Sequence, residues 1–139
     1  MTRRILIRPR ASVDLDEQFA YIAEDNFDAA LNFFDAARQT FSQLAQLPSI
    51  GSIYEVKNSR LVGLRKWSVK GFNKHLIFYL DRNDCIEIVR IIHAARDVLQ
   101  VLAEEDRVGA ASMGTTIRSQ KATYQGQRIS QNLAQSAQS

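Results

Sequence analysis

The sequence is poor in cysteine and lacks any long apolar run. Its single cysteine, Cys85, cannot form an internal disulfide and has no cysteine or clustered histidine at the spacing of metal ligands. No apolar run approaches the roughly 20 residues that span a bilayer, and the basic start, MTRRILIRPR, lacks the apolar core of a signal peptide. We therefore expect a cytoplasmic protein with no disulfide framework, metal site, cofactor or membrane segment.

Charge is distributed unevenly along a chain of one-domain length. The 139 residues, 45% of them apolar, suffice for one domain with a core. Residues 1–105 contain 14 bases and 14 acids, so the net charge of +3 lies in residues 106–139. Residues 11–35 hold seven acids and no base, whereas residues 55–74 hold six bases and one acid. This segregation predicts an acidic surface and a basic one, and the basic one suits an anionic target.

The first elements predicted are a strand and a helix. The β-branched and apolar run from Ile5 to Ile7 is stopped by Pro9, which favours an edge strand or a neighbour of one. Ser12 is a candidate N-cap for a helix over Val13–Glu24, with acids in its first turn. Apolar residues that line one face of this helix are Leu15, Phe19, Ile22 and Ala23.

A second helix follows after a short link. Asn26 is its candidate N-cap, and Leu47 and Pro48 end it. Its apolar residues, spaced by four and three, are Ala30, Phe34, Ala37, Phe41 and Leu44. The short link predicts an antiparallel helical hairpin, and core packing is the ordinary role of its aromatic residues.

The chain then changes to the pattern of a sheet. LRKWSV, HLIFYL and CIEIVRII are short, rich in β-branched and aromatic residues, and separated by the turn sequences KGFNK and DRND. They predict three sequential antiparallel strands. Both sides of the middle strand are largely apolar, and since the helical hairpin can cover only one, the other is expected to bury part of itself against a partner protein.

A last helix is predicted over residues 95–105, ARDVLQVLAEE. The periodic pattern ends after it, and the remaining residues are rich in Ser, Gln and Gly with few large apolar side chains. We therefore expect one domain over residues 1–105 and a basic, Ser/Gln-rich, disordered tail over residues 106–139.

Several stretches together resemble one known family. They are ASVDLDEQFAYIAEDN with the Ala-rich aromatic helix after it, LPSIG, GLRKWSVKGFNKHLIFY and IVRIIHAARD. In this order they resemble the ParE branch of the RelE/ParE toxin superfamily of bacterial type II toxin-antitoxin modules. The resemblance covers about three-quarters of the chain. Two departures are Phe27, where the family often has proline, and the tail, which has no counterpart.

The resemblance implies a fold, an activity and partners. The fold is α+β, with an N-terminal strand and a helical hairpin packed on a small antiparallel sheet in the order β-α-α-β-β-β-α. The activity is that of a toxin which binds and poisons DNA gyrase, arrests growth and serves plasmid maintenance, and a ParD-like ribbon-helix-helix antitoxin neutralises it. RelE-like members of the same fold imply an alternative, ribosome-dependent cleavage of mRNA, and a chain that has lost toxicity and only binds its antitoxin is a third possibility. Because one fold serves different activities, the individual residues have to distinguish between these three possibilities.

The residues argue against a nuclease. Metal-free RNA cleavage needs a general base, a general acid and cations around the phosphorane, for which the candidates are His93, Arg65 and Arg90. Strand alternation directs Arg90 and His93 to opposite faces, unless a bulge or the strand end intervenes. His75 and Tyr79 share a face, but they stand about 13 Å apart at the strand rise, too far to act on one proton. We therefore predict no catalytic residue.

Two of these residues have structural alternatives. His93 can close its strand by a hydrogen bond to a backbone carbonyl or to Asp97. Arg90 can be an arginine at the edge of the core that pairs with an acid of the helical hairpin, or it can contact the target.

Two binding surfaces are predicted instead. The target is expected to meet the basic hairpin and the start of the last helix, with no sequence-specific contact to nucleic acid. The residues are Arg65, Lys66, Trp67, Lys70, Lys74 and Arg96. The alternative for the hairpin is a solvated turn with Trp67 in the core. The antitoxin is expected to bind the helical hairpin and an open sheet edge, through Phe19, Ile22, Phe34 and Phe41.

Overall fold

The computed structural model describes residues 2–104, so the predicted tail, residues 106–139, lies outside the described residues. The helices are α1 (Pro9–Asp25) and α2 (Phe27–Gln46), and the strands are β1 (Arg4–Ile7), β2 (Ser52–Ile53), β3 (Arg65–Val69), β4 (Phe72–Asp81) and β5 (Cys85–His93). A 3-10 turn covers Ser59–Leu61, and a last helix begins at residue 98. The predicted α+β fold and its element order are confirmed, with β2 as an addition.

Helix α1 begins earlier than the sequence suggested. The prediction placed Ser12 at the N-cap and Val13 at the start, but the helix starts at Pro9 and its N-cap is Arg8, which makes no capping bond with its side chain. Proline suits the first helical position because its φ is already helical and its missing N–H has no partner there. Pro9 therefore ends the strand and starts the helix in one step.

Helix α2 follows its prediction. The side chain of Asn26 accepts a hydrogen bond from the backbone N–H of Ala29 at 3.0 Å, which is the expected N-cap contact. The helix ends at Gln46, with Leu47 as its C-cap. The two helices pack as a hairpin in which the ring of Phe19 meets Phe34 edge to face at 6.1 Å between centroids.

The sheet has five strands in the order β1-β5-β4-β3-β2. Strand β1 is an edge strand, as predicted, but it runs parallel to β5, with Arg4 opposite Cys85. The other pairs are antiparallel, so the sheet is mixed and the expectation of an antiparallel sheet holds only for β2 to β5. Strands β1 and β5 are therefore neighbours in the sheet although residues 8–84 separate them in the sequence.

The middle strand, β4, is buried on both faces by this chain itself. On one face Ile77 and Tyr79 join the core formed with the helical hairpin. On the other face Phe78 and Leu80 pack with residues of the 54–64 segment and the last helix, namely Leu61, Leu64, Val101 and Leu102. The expectation that a partner protein covers the second face was therefore wrong, because the sequence pattern could not show that these two segments fold back onto it.

The last strand carries a β-bulge. Phe78 is opposite Arg90 whereas Tyr79 is opposite Ile88, which leaves Val89 as an additional residue in β5. After β5 the chain turns, and the last helix begins three residues later than predicted. Asp97 caps it, since its side chain accepts a hydrogen bond from the N–H of residue 100 at 3.2 Å.

Candidate binding surface at the end of the sheet

The hairpin that joins β3 to β4 is held against α2. Its turn contains Gly71, whose φ of +80° is a conformation that glycine adopts without strain. The backbone N–H of Lys70 donates to the hydroxyl of Thr40 at 3.1 Å, and that hydroxyl donates to the carbonyl of Ala36 at 2.6 Å. Since this hydroxyl both accepts and donates, it fixes the position of the hairpin relative to the helix.

Arg65 is bound to the protein's own loop. Its guanidinium donates to the carbonyls of Gly51 at 2.6 Å and Ser49 at 3.3 Å. The hydroxyl of Tyr79 fixes the same loop, because it accepts from the N–H of Gly51 at 2.9 Å and donates to the carbonyl of Pro48 at 2.8 Å. Burial raises the pKa of Tyr79, which keeps this hydroxyl protonated. Arg65 is therefore a loop anchor, and its predicted role as a target contact is not supported by this geometry.

The loop can close only around a glycine. A Cβ at position 51 would lie 2.5 Å from the hydroxyl of Tyr79 and 2.9 Å from the carbonyl of Lys66. This contact could not be predicted from the sequence, because LPSIG is compatible with many turns.

Lys66 and Trp67 lie on opposite faces of β3. The ammonium of Lys66 lies 5.4 Å from the ring centroid of Tyr54, on the face covered by the 54–64 segment. Trp67 is half-buried and packs against the core on the helical face. The alternative with Trp67 in the core therefore holds in part. The six predicted target contacts do not form one patch.

Three of the predicted cations do share one end of the sheet. In an antiparallel arrangement the end of β3, the start of β4 and the end of β5 lie side by side. Lys70, Lys74 and Arg96 occupy these positions, and all three are exposed. The backbone of Lys74 reaches the turn after β5, since its carbonyl accepts from the N–H of Ala94 at 2.7 Å. We call these three residues the cationic end.

Two histidines lie behind the cationic end. The rings of His75 and His93, which are opposite each other in β4 and β5, meet edge to face with centroids 4.9 Å apart. His75 donates from Nδ1 to the side-chain carbonyl of Gln18 at 2.7 Å, because the amide nitrogen of Gln18 donates to the carbonyl of Ile91 at 2.8 Å. Burial, and then the neighbouring His93, lowers the pKa of His75 to about 4. His75 is thus a neutral packing residue at neutral pH.

His93 closes the turn after β5, although not with either predicted partner. Its Nδ1 accepts a hydrogen bond from the backbone N–H of Ala95 at 3.0 Å, so neither a backbone carbonyl nor Asp97 is involved. Asp97 instead caps the last helix. The ring therefore closes the turn through a partner that the sequence did not predict.

Arg90 forms a buried ion pair with α1. Its Nε donates to Oδ2 of Asp14 at 2.7 Å and its Nη2 to Oδ1 at 3.0 Å, while the N–H of Ile91 donates to Oδ2 at 3.0 Å. Both side chains are almost fully buried, at 5% and 2% exposure. This decides between the two alternatives for Arg90 in favour of the core pair. Asp14, which was predicted to lie in the first turn of the helix, is buried, and it lies beyond the first turn because α1 starts at Pro9.

The three nuclease candidates do not converge. No bulge lies between Arg90 and His93, since they are opposite Phe78 and His75 in regular register, so the expected alternation holds along this part of β5. Arg65 is bound to its loop and Arg90 to Asp14. Within residues 2–104, no cluster of three or more His, Cys, Asp or Glu side chains could hold a metal ion.

The predicted antitoxin contacts are mostly inside the protein. Phe34 and Phe41 are 7% and 3% exposed, so neither can form a surface. Phe19 and Ile22 are partly buried against the same core. The prediction was wrong for the two buried residues because one helical face cannot both pack the core and bind a partner.

The helical hairpin exposes two aromatic residues that were not predicted from the sequence as contacts. Tyr21 is 74% exposed and Phe27 is 52% exposed, and the ring of Phe27 meets Phe19 edge to face at 6.2 Å. A signal was present at Phe27, where the resemblance leads one to expect proline.

In the described part of the chain, no helix is both long and apolar enough to cross a membrane.

Comparison with known proteins identifies the family. A family model described as the ParE toxin of the type II toxin-antitoxin system parDE matches residues 5–98. The chain is similar to a solved structure titled "Chromosomal ParDE TA system from P. aeruginosa", with a TM-score of 0.54 and 16% identity over 66% of this chain and 96% of that one. No curated protein matches. At this identity the structural match shows the fold alone, but the family model spans well over half of the sequence, and the chain therefore belongs to the ParE toxin family of type II toxin-antitoxin systems.

Proposed function

We propose that this ParE-type toxin acts in the cytoplasm by binding DNA gyrase through the cationic end, without an active site of its own. The observation that carries the proposal is the grouping of three exposed cations, Lys70, Lys74 and Arg96, at one end of the sheet. Lys70 and Lys74 belong to a stretch of sequence, Val56 to Leu80, that contains no acid. Such a surface favours an acidic protein surface or the phosphates of DNA held by an enzyme.

The three candidate catalytic residues are held in contacts within the protein, which supports binding rather than catalysis. Arg65 holds a loop, Arg90 neutralises Asp14, and His93 accepts a backbone hydrogen bond. General acid-base chemistry needs a proton carrier within hydrogen-bond reach of the reacting atoms, together with cations that converge on them. These three residues do not meet that requirement.

The antitoxin is proposed to be a ParD-like protein with a ribbon-helix-helix domain, and to bind the helical hairpin. The exposed rings of Tyr21 and Phe27 offer apolar anchors, and the exposed acids Glu24, Asp25 and Asp28 surround them in sequence. An amphipathic segment with basic flanks is the complementary partner. This surface takes the place of the buried residues that the sequence had suggested.

A supercoiling assay tests the proposed action. Purified protein is incubated with gyrase, ATP and relaxed or supercoiled plasmid, and we expect inhibited supercoiling and accumulated cleavage complexes. Charge reversal by Lys74→Glu with Arg96→Glu should weaken inhibition at least about tenfold, since two favourable contacts of about 1 kcal/mol each become unfavourable. Lys57→Glu reverses an exposed charge on another part of the chain and serves as the matched control.

Two results would contradict the proposal. Unaltered supercoiling with no cleavage complex would exclude gyrase, and codon-positioned cuts in translated mRNA that His93→Ala abolishes would establish the nuclease instead. Expression in a growing bacterium without its antitoxin should arrest growth. Normal growth with retained antitoxin binding would identify a chain that has lost toxicity.

A further inference from the structure

A cleft runs between α2 and the β3–β4 hairpin. Its volume is about 540 Å³, which is within the range of small-ligand and peptide sites. The side chains that line it are mainly amides and hydroxyls, with one indole and one ammonium; they include Gln39, Thr40, Gln43, Trp67, Lys70 and Asn73. Gln39 and Gln43 are one helical turn apart, so they share the wall that α2 contributes.

The two walls are fixed before any ligand arrives. Thr40 joins them, because its hydroxyl accepts from the N–H of Lys70 and donates to the carbonyl of Ala36. Trp67 packs against the core behind the cleft. A site with fixed walls loses little conformational entropy on binding.

The cleft adjoins an open edge of β3. The carbonyl of Leu64 accepts from the N–H of Tyr54 at 2.8 Å, so the peptide groups of Leu64 face outward, towards β2. By strand alternation the peptide groups of Lys66 and Ser68 face the same way. Strand β2 begins at Ser52, which is opposite Lys66, so Ser68 lies beyond the end of β2. Ser68 also lines the cleft, and by this alternation its N–H and carbonyl face away from β4, where a further strand could pair with them.

The charges favour an acidic occupant. Among the described residues that line the cleft, Lys70 is the only charged one, and the segment from Val56 to Leu80 contains no carboxylate that would repel an acid. A nucleic-acid strand carries one phosphate per nucleotide and needs a row of cations, which this cleft does not offer. An extended polypeptide needs backbone partners, which Ser68 and the amide side chains offer.

We propose that this cleft binds an extended, acidic segment of a partner protein, which pairs with β3 at Ser68 and places a carboxylate beside Lys70. Trp67 provides the apolar contact for an alternate side chain of that segment. The inference rests on the proposed function only in that Lys70 also belongs to the cationic end. The test below contains no gyrase, so its failure and the failure of gyrase inhibition are separate results.

The probe is a synthetic peptide that alternates glutamate and valine. Trp67 is the single tryptophan of the sequence, so its fluorescence reports on the cleft directly, and amide hydrogen exchange by NMR reports on the N–H of Ser68. We expect the peptide to change the emission of Trp67 and to slow the exchange of Ser68 at least about tenfold. Lys70→Glu should weaken binding at least about fivefold, whereas Lys57→Glu, which reverses a charge outside the cleft, should leave it unchanged.

Two altered peptides test whether binding depends on the acidic side chains and on backbone pairing. A peptide with lysine in place of glutamate, and the glutamate peptide with alternate backbone amides N-methylated, should both bind at least about fivefold more weakly. No response of Trp67 and Ser68 to the glutamate peptide would overturn the proposal. So would equal binding of the N-methylated peptide, or tighter binding of oligothymidylate, which would indicate a nucleic-acid site.

Discussion

Removing the charge of Asp14 should destabilise the fold severely, because the buried guanidinium of Arg90 would lose this carboxylate. The wild-type carboxylate accepts three hydrogen bonds, two from Arg90 and one from the N–H of Ile91. Breaking a buried ion pair by removing one partner costs about 3–5 kcal/mol, which is a large part of the stability of an ordinary domain. We therefore expect Asp14→Asn to lower the free energy of unfolding by about 3–5 kcal/mol.

Urea denaturation followed by circular dichroism measures this change. The matched control is Asp84→Asn, because Asp84 forms a salt bridge with Arg4 at 3.5 Å in which the side chains are 72% and 82% exposed. An exposed pair of this kind contributes at most about 1 kcal/mol. A double variant, Asp14→Leu with Arg90→Met, should recover to within about 2 kcal/mol of the wild type, because it buries no charge.

Two results would refute this reasoning. If Asp14→Asn unfolds at the same urea concentration as Asp84→Asn, the pair of Asp14 and Arg90 is not as desolvated as its burial implies. If the apolar double variant is as unstable as the single one, the loss comes from packing and not from the missing carboxylate beside Arg90. Equal denaturant slopes among the variants are required before the midpoints are compared.

Further predictions concern the loop, the histidines and the tail. Tyr79→Phe should lower the free energy of unfolding by about 1–3 kcal/mol, seen as a lower Tm, since it leaves a buried N–H without its acceptor. The pKa of His75 is lowered in the fold, so the free energy of unfolding should fall as the pH drops from about 6.5 towards 4. Urea titrations across this pH range should show that His75→Leu removes the effect. An unchanged dependence of stability on pH in this variant would contradict the assignment. His93→Ala should retain gyrase inhibition, because its ring only closes a turn; a loss of inhibition in a folded variant would argue otherwise. Removing residues 107–139 should leave unfolding cooperative, and a non-cooperative transition in calorimetry would show that the domain extends further.

The element order followed from the sequence because it depends on local spacing. The apolar residues of α2 recur every three or four positions, and Asn26 has the side chain that a helix start requires, so both the helix and its cap could be predicted. The short strand β2 was missed, since two residues carry no pattern. The start of α1 was misplaced because Pro9 suits both the end of a strand and the first position of a helix.

The candidate site was harder to predict because it depends on contacts between distant residues. Arg90 and Asp14 are 76 positions apart, and only the packing of α1 on β5 brings them together. The bulge at Val89 was not predicted either, because no glycine marks this part of the sequence. Periodicity placed Phe34 and Phe41 on one face correctly, but it could not tell a face that packs the core from a face that meets a partner.

The parallel pairing of β1 with β5 has a consequence during synthesis. Arg4 pairs with Cys85, and at about 5–20 residues per second a ribosome needs roughly 4–16 s to pass from one to the other. Throughout that interval the apolar residues of β1 have no neighbouring strand, and the face of β4 that carries Phe78 stays open until the last helix emerges. Pairings between distant segments of this kind form late in folding. An interrupted round of translation therefore releases an incomplete sheet, so a ribosome that stops before β5 makes no toxin.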